Sequence, residues 1–384
     1  MAFTSAVCIF VSLHLLFTVC FLRIHEINLL YFLPKISYYL TMAQKKEVRL
    51  SDIAEKLKIS TVTVSKALSN KDGVGDELRS QIIALAKDMG YKTKPASDSK
   101  GNITGNVGVI IPAKFFSPEV SFYWYLFTHL STQLLKRNFF TMMELVSAED
   151  EASLILPRLL TEKKVDGLIF MGQMSTQYIE KAAALTDNFI LMDFYTENPD
   201  YDCVVCDDFY NSYLITSYLI ERGHKSLRFV GNFDATTSIR DRFMGFQKAL
   251  YEHGIPSDVD QIIKDRQADG LLLEKMELDK AAGDVQAFVC NCDLTASKVI
   301  AQLTAAGIKV PQDVSVTGYD NFLSSSEKTI PLTTVAVSPE KTAGLAAELI
   351  INKITGRDYI KGRHLVSGEI IERESVMRLS GQAR

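Results

Sequence analysis

The stretch VRLSDIAEKLKISTVTVSKALSNKDGVGDELRSQIIALAKDMGY, residues 48–91, decides the fold of the N-terminal part of this chain. Its apolar residues recur three and four positions apart in three separate runs, which predicts three short helices. Ser51 stands where the N-cap of the first helix is expected. The second helix, from Thr61, follows a tight turn, and the third covers about 76–89. Three short helices with a tight second turn form the geometry that places the second helix in the major groove of DNA.

The same stretch closely resembles the helix-turn-helix head of the LacI/GalR transcriptional regulators. The matching features are L-x-D-I-A, I-S-x-x-T-V-S-[KR]-A-L and the closing A-x-x-x-G-Y. That family reads bases with the first two positions of the second helix and with the basic residue after T-V-S, which implies base contacts from Thr61, Val62 and Lys66. The alternative, an amphipathic three-helix bundle of unrelated role, leaves the motifs unexplained.

The side chains at these positions have the chemistry to contact DNA. Lys66 can donate to guanine O6 and N7, and the methyl groups of Thr61 and Val62 can pack on thymine methyl groups. Val62 is unusual there because it cannot hydrogen-bond a base edge. Hydroxyl side chains suit phosphate contacts, which set register rather than sequence preference. The hydroxyl residues expected to make such contacts are Ser60, Thr63, Ser65 and Ser69.

Charge is divided unevenly along the 384 residues, whose formal net charge is −4. Residues 45–100 hold twelve Lys and Arg against eight Asp and Glu, a balance of +4, whereas residues 101–384 hold twenty-eight against thirty-seven, a balance of −9. A small basic head on a large acidic body predicts that only the head meets a polyanion. Six cysteines do not form a disulfide scaffold in a chain of this length, which favours a reducing cytoplasm.

The first residues, 1–44, form an apolar extension that is open to three interpretations. From Ala2 to Leu22 there is no charged residue, and this length suffices to cross a bilayer as a helix. In the first interpretation the segment is a membrane anchor, and the basic residues after it keep the remainder of the chain in the cytoplasm. Alternatively, it is a buried or interfacial segment. The favoured interpretation is translation from Met42, which stands just before the head at 45–91.

A linker at 92–105 joins the head to the rest of the chain. It is rich in Pro, Gly, Ser and charged residues, which predicts a flexible connection. The resemblance implies a hinge helix here that wedges a leucine into the minor groove. This chain has no leucine in the segment, and Lys100 lies near the matching place. Two alternatives remain: phosphate contacts from Lys92, Lys94 and Lys100, or a less bent DNA.

Residues 106–384 alternate short β-rich apolar runs with helical patterns, which implies parallel sheets with right-handed crossovers. Two series of strands suggest two lobes with a ligand between them. The resemblance continues through G-V-I-I-P, V-D-G-L-I and D-V-S-V-T-G-Y-D, and implies a type I periplasmic-binding-protein-like core. Such a core has two Rossmann-like lobes joined by three crossovers. The resemblance also implies that the chain forms a dimer and that an effector binds in the cleft. Strands are predicted at 106–111, 165–170, 189–192, 227–231, 287–290 and 314–318, and helices near 120–137, 208–222, 239–253, 293–306 and 339–355.

The resemblance also implies residues that bind the effector. Asp193 and Asp320 match acceptors of ligand hydroxyls, although a strand-end Asx turn is the alternative for each. Arg242 matches an arginine that binds ligand oxygens, with a surface salt bridge as the alternative. In Asn291-Cys292-Asp293, Asp293 completes the family's N-D pattern, while Cys292 occupies a position that is often asparagine, which puts one hydrogen bond in doubt.

Aromatic residues after the first strand form a candidate wall for the apolar face of a pyranose. We expect Phe116, Phe122 or Tyr123 to contribute it, although some of these rings must belong to the core. Cys203 and Cys206 have C-x-x-C spacing, but residues three apart in a strand face opposite sides, so these are expected to be buried structural cysteines. No catalytic motif is present, and we expect no metal, cofactor or enzymatic activity.

Together these features predict a cytoplasmic, homodimeric repressor of carbohydrate-related genes. It binds double-stranded DNA at a pseudo-palindromic operator, and a sugar-like effector between the lobes controls it. A membrane-anchored sugar receptor is the alternative; residues 2–22 favour it, but it has no need of the head. A third alternative is an enzyme on the same two-lobe fold. It is disfavoured because the sequence shows no acid-base or nucleophile constellation.

Overall fold

The computed structural model describes residues 48, 50–68, 73–89, 91, 103–116, 121–256, 262–278, 285–322 and 330–379. The chain divides into two compact units at the Gly101–Asn102 bond. Several predictions concern residues that lie outside the described ranges, so they stay predictions. They are the apolar segment 2–22, the start at Met42, the phosphate contact of Ser69 and the linker lysines Lys92, Lys94 and Lys100.

The first unit contains the three predicted helices, α1 (Leu50–Leu57), α2 (Thr61–Leu68) and α3 (Asp76–Asp88). The prediction of Ser51 as an N-cap is wrong, because α1 begins one residue earlier and Ser51 lies in its first turn. The next helix, α2, is capped by Ser60, whose Oγ accepts a hydrogen bond from the backbone amide of Thr63 at 3.0 Å. Each helix contributes two fully buried residues to a small core, namely Ile53, Ala54, Val64, Ala67, Ile82 and Ala86.

The first lobe of the second unit is built on a parallel sheet whose described strands run in the order β11-β5-β4-β3-β1-β2. The central strands are buried on both faces, as expected for continuous apolar runs in a parallel sheet. The strands of this sheet are β1 (Asn106–Pro112), β2 (Phe140–Val146), β3 (Gly167–Met171), β4 (Phe189–Met192), β5 (Cys203–Cys206) and β11 (Arg363–Val366).

The second lobe has a similar sheet, with its described strands in the order β12-β10-β9-β8-β6-β7. All neighbours are parallel except β12, which pairs antiparallel with β10. Its strands are β6 (Leu227–Val230), β7 (Ile262–Ile263), β8 (Ala287–Cys290), β9 (Ser315–Asp320), β10 (Thr333–Ala336) and β12 (Glu369–Ile371).

Helices cover both sheets. Those of the second unit are α4 (Phe122–Leu135), α5 (Ala148–Ala152), α6 (Arg158–Thr161), α7 (Thr176–Ala183), α8 (Asp208–Glu221), α9 (Thr237–Glu252), α10 (Asp293–Ala305) and α11 (Pro339–Thr355). Although α11 follows a strand of the second lobe, its buried residues Ala343, Ala346 and Ile350 belong to the core of the first.

The chain therefore crosses between lobes three times: between β5 and α8, between β10 and α11, and between β11 and β12. These crossings confirm the predicted two-lobe α/β core with three crossovers. Because the carboxyl ends of parallel strands lie at one edge of each sheet, the loops after β1, β4, β8 and β9 meet in one cleft.

Candidate functional site

The second helix of the head presents one face to solvent. Val64 and Ala67 are buried, whereas Thr61, Val62, Ser65 and Lys66 are exposed. Val62 is 62% exposed, so its methyl groups are accessible to a partner. The predicted base-reading positions therefore lie together on the outer face of α2.

Two of the predicted phosphate contacts are partly engaged within the head. The Ser60 and Thr63 hydroxyl oxygens lie 2.8 Å apart, and Ser60 also accepts from the Thr63 amide. Each hydroxyl can still form a further hydrogen bond. The hydroxyl of Ser65 lies on the exposed face beside Lys66.

A cavity of about 390 Å³ lies between the two lobes at the carboxyl ends of their strands. This volume falls within the range of small-molecule sites. Six of the eight predicted effector residues line it: Phe122, Tyr123, Asp193, Arg242, Cys292 and Asp320. The other lining residues include Lys114, Phe115, Ser121, Thr236, Ser238, Ile239, Arg266, Leu271, Leu272, Asn291, Leu294 and Phe322.

Arg242 is held rigidly in the wall of this cavity. Its Nε donates to Asp208 at 2.8 Å, and its Nη1 donates to the carbonyl oxygen of Asn291. Its Nη2 lies 3.5 Å from Asp320, and the guanidinium stacks 3.7 Å from the centre of the Tyr319 ring. The side chain is 8% exposed, so the alternative of a surface salt bridge is wrong.

Asp193 and Asp320 take positive φ angles of 67° and 97° at the ends of β4 and β9. Such angles are rare outside glycine and cluster at functional sites. Asp193 accepts a hydrogen bond from the Tyr123 hydroxyl at 2.7 Å rather than from a backbone amide of its own turn.

Both carboxyls titrate near neutral pH. Burial, with the negative charge of Asp208 adding to it, raises the pKa of Asp193 to about 7. Burial raises the pKa of Asp320 to about 6, although the positive charge of Arg242 opposes the shift. Carboxyl groups in this range can accept from a ligand hydroxyl when ionised and donate when protonated.

Two family models match this chain. Residues 49–94 match the bacterial regulatory proteins of the lacI family, and residues 216–376 match a periplasmic binding protein-like domain. The HTH-type transcriptional repressors PurR of Histophilus somni (strain 129Pt) and Aliivibrio salmonicida are 28% and 25% identical over 341 and 335 residues. Each alignment covers 86% of this chain and 99% of the relative.

The head of the chain thus matches the lacI family of bacterial regulatory proteins, and much of its core matches a periplasmic binding protein-like domain. Solved structures show the same fold over most of its length. A complex of the transcriptional regulator CelR with cellobiose has a TM-score of 0.61 at 21% identity, and the lac repressor dimer bound to operator and the anti-inducer ONPF has 0.60 at 19%. Each comparison covers 86% of this chain and all of the other. The chain is thus a DNA-binding transcriptional regulator with a periplasmic-binding-protein-like core.

Of the three aromatic residues predicted from the sequence as candidates for the wall, Phe122 and Tyr123 line the cavity. Phe116 does not line the cavity; it packs edge-on against Trp124 at 5.8 Å. Phe115 lines it instead and stacks on Tyr123 at 5.3 Å. The reason is a single 3₁₀ turn, Ala113–Phe115, which follows β1 and rotates the chain out of the strand's alternation.

Asp293, which was predicted to bind the effector, does not line the cavity either. It lies behind the cavity wall, where its carboxylate accepts from the Thr334 hydroxyl at 2.6 Å and from the Phe322 amide at 2.9 Å. Its Oδ1 packs so closely on Gly318 that a Cβ added at that glycine would lie only 2.1 Å from it. Asp293 therefore supports the loop that carries Phe322 rather than facing a ligand.

Several lining residues were missed by the sequence analysis. Thr236 caps α9 by accepting from the Ile239 amide, a role that the T-T-S before an apolar helical pattern could have indicated. Phe322 lies edge-on to Phe122 at 5.9 Å and so joins the two lobes' aromatic residues across the cleft. Arg266, three residues after the edge strand β7, carried no recognisable signal.

The cysteines of the core follow the prediction. Cys203 and Cys206 are buried in β5, and burial raises the pKa of both thiols, that of Cys203 to about 11. Cys292 faces the cavity, with its Sγ 3.2 Å from the Thr295 hydroxyl. Among the described residues, no three His, Cys, Asp or Glu side chains are placed to hold a metal ion. Within the same ranges, no helix has the length and apolarity needed to span a bilayer.

Proposed function

We propose that this regulator is a homodimeric repressor of carbohydrate-related genes in the cytoplasm. Its affinity for a pseudo-palindromic operator is controlled by a sugar-like effector bound in the cavity between the lobes. The observation that carries the proposal is the exposed face of α2, where Thr61, Val62 and Lys66 lie together on a head with its own buried core.

The exposed face suits a major groove. Lys66 supplies a donor for guanine, and Val62 supplies an aliphatic surface for a thymine methyl group. The surrounding hydroxyls position the helix on phosphates without selecting sequence. Because phosphate neutralisation dominates affinity, operator binding is expected to weaken steeply with salt.

The cavity suits a polyhydroxylated ligand. Phe115, Phe122 and Tyr123 offer apolar ring faces, while Asp193 and Arg242 offer an acceptor and a fixed fork of donors. The relatives support this proposal: CelR was solved with cellobiose, and a LacI family regulator from Enterococcus faecium, with a TM-score of 0.58 at 24% identity, was solved with ribose. That comparison covers 72% of this chain and all of the other.

The proposed dimer is supported by an apolar surface on the first lobe. The edge strand β2 exposes Phe140, Met142 and Leu145, and α4 beside it exposes Trp124 and Leu135. A monomer seldom leaves such an edge and patch uncovered. Two identical heads on a twofold axis favour two equal half-sites in the operator.

The proposal is tested by the substitution Lys66→Ala in the full chain. Selection from randomised duplex oligonucleotides is expected to yield a pseudo-palindromic site for the wild type. The variant should lose roughly 30-fold or more in preference for that site, because a base contact worth about 1–3 kcal/mol is lost in each of the two half-sites. Effector-induced thermal stabilisation should be unchanged.

Lys87→Ala, which removes an exposed lysine from α3, is the matched control and should retain the preference. If Lys66→Ala protects the same sites as strongly as the wild type, the assignment of the recognition face is wrong. If the wild type selects no sequence, with or without candidate effectors, the proposed function is wrong.

A further inference from the structure

Arg266 is a second arginine in the cavity wall, and its orientation is set by a buried carboxylate. Its Nε and Nη2 donate to Oδ2 of Asp265 at 3.0 and 2.8 Å. Nη2 also lies 3.2 Å from Oδ1 of Asn291 and 3.6 Å from Sγ of Cys292. Two of the three guanidinium nitrogens are thereby held in place.

Asp265 is itself held by neutral donors and is 1% exposed. It accepts from the Asn232 amide at 3.0 Å, the Asn291 side-chain nitrogen at 2.8 Å and the Thr295 hydroxyl at 2.6 Å. Although burial opposes the shift, the charge of Arg266 and these hydrogen bonds lower the pKa of Asp265, so the carboxylate stays ionised. The guanidinium of Arg266 is therefore preorganised, so little entropy is lost when its remaining edge binds a ligand.

Among the residues that the structure describes, the remaining edge of Arg266 has no partner. Its Nη1 has two N–H donors, and neither has an acceptor in the part of the chain that the structure describes. The side chain is 13% exposed and lines the cavity, so we infer that these two donors are available to a ligand bound there.

Asn291 places the two arginines side by side. Its carbonyl oxygen accepts from Nη1 of Arg242, and its side-chain oxygen accepts from Nη2 of Arg266. Planar guanidinium forks match the oxygens of carboxylates and phosphates. Asp320, the nearby carboxylate on Arg242, titrates close to neutrality and can take up a proton when an anion binds beside it.

We propose that the effector carries an oxyanion, a carboxylate or a phosphate ester, on a polyhydroxylated body, and that Arg266 binds this group. The inference rests on the proposed function of the cavity as the effector site. Asp193 then accepts hydrogen bonds from the hydroxyl groups of the ligand, and the aromatic wall packs against its body. Arg266 selects acidic ligands over their neutral counterparts.

The experiment uses the full chain and matched sets of probes. Each hexose is tested as the neutral sugar, the hexuronate and the hexose 6-phosphate, by thermal shift and then by calorimetry. The acidic member of the binding set is expected to bind at least about 10-fold more tightly than the neutral one, because its oxyanion accepts charge-assisted hydrogen bonds from Arg266. The uronate and phosphate arms distinguish the two sources of the anion.

Two variants locate the group. Arg266→Met should lower affinity for the acidic probe about 10-fold or more and leave affinity for the neutral sugar within about twofold. Because this change strands Asp265 as a buried charge, the double variant Asp265→Asn, Arg266→Met is measured as well and should show the same loss with a restored fold. Lys225→Met, which removes an exposed lysine before β6, is the control and should bind as the wild type does.

The outcomes separate this inference from the proposed function. A neutral sugar that binds as tightly as its acids, with affinity unchanged in both arginine variants, overturns the inference and leaves the regulator intact. Failure of every acidic probe to bind also overturns it. Operator selection by the ligand-free chain tests the proposed function independently of either result.

Discussion

At the scale of single residues, Asp193 combines backbone strain with a perturbed charge. Its φ of 67° lies in the left-handed region, which Asn and Asp tolerate better than other side chains. Its carboxyl group accepts from Tyr123 and is otherwise turned to the cavity. Replacement by asparagine keeps the backbone angle and the acceptor while it removes the charge.

Asp193→Asn is expected to stabilise the fold at high pH and to weaken effector binding. In the folded state the pKa is raised from 3.8 to about 7, so the folded protein holds a proton that the unfolded chain has released. The stability gained from that proton is complete below pH 4 and is lost as pH rises through 7. Because the carboxyl is only partly shielded from the cavity, we expect the variant to be more stable by roughly 1–2 kcal/mol at pH 8 and by less at pH 5.

Urea unfolding at pH 5 and pH 8 measures the difference. Asp187→Asn, which alters an exposed carboxylate of the same lobe, should show no such dependence. An Asp193→Asn variant whose advantage does not grow with pH would show that Asp193 titrates normally.

At the scale of elements, α8 and α9 pack around one glycine. A Cβ on Gly245 would lie 2.0 Å from the carbonyl oxygen of Phe209, a backbone atom that cannot rotate away. The close approach places Arg242, three residues earlier on α9, beside Asp208 at the start of α8. The spacing of the two helices therefore sets the geometry of the cavity wall.

Gly245→Ala is expected to destabilise the second unit by about 2 kcal/mol or more, because the helices must separate. Gly344→Ala in α11 is the matched control. A Cβ there meets only a side-chain atom of Gln133 at 4.0 Å, so the higher helix propensity of alanine should raise stability by up to about 1 kcal/mol. Denaturant unfolding measures both, and equal effects of the two changes would contradict the packing argument.

Several of the strands missed from sequence lie at sheet edges and are less buried than those that were found. Central strands such as β3 and β8 are continuous apolar runs, which local pattern identifies. The edge strands β2 and β11 each contain a single buried residue, and β12 is partly polar, so their pairing partners define them as strands.

At the scale of the whole second unit, polar contacts outside the cavity join the lobes. Asp241 on α9 accepts from the Tyr195 hydroxyl at 2.8 Å and from Arg363 of β11 at 2.7 Å, both in the first lobe. Thr237 donates its amide and hydroxyl to Gln173. These contacts stabilise the arrangement in which both walls of the cavity face each other, which is the arrangement a shared ligand favours.

Asp241→Ala is expected to weaken effector binding by about fivefold, although Asp241 does not line the cavity. Loss of partly exposed contacts worth about 1 kcal/mol lowers the population of the binding-competent arrangement, and apparent affinity falls in proportion. Calorimetry with the best probe measures the change, and Asp200→Ala, an exposed carboxylate of the first lobe, is the control. Unchanged affinity in Asp241→Ala would show that the contacts do not influence closure.

The sequence by itself determined the head, most of the central strands and the motif residues Asp193, Arg242 and Asp320, because each depends on local periodicity or on a motif read in one place. The tertiary structure decided which residues face the cavity. It exchanged Phe116 for Phe115, moved Asp293 behind the wall and added Arg266. The physical reason is that three lobe crossings bring segments far apart in sequence to one edge, where side-chain direction depends on turns and neighbours rather than on local pattern.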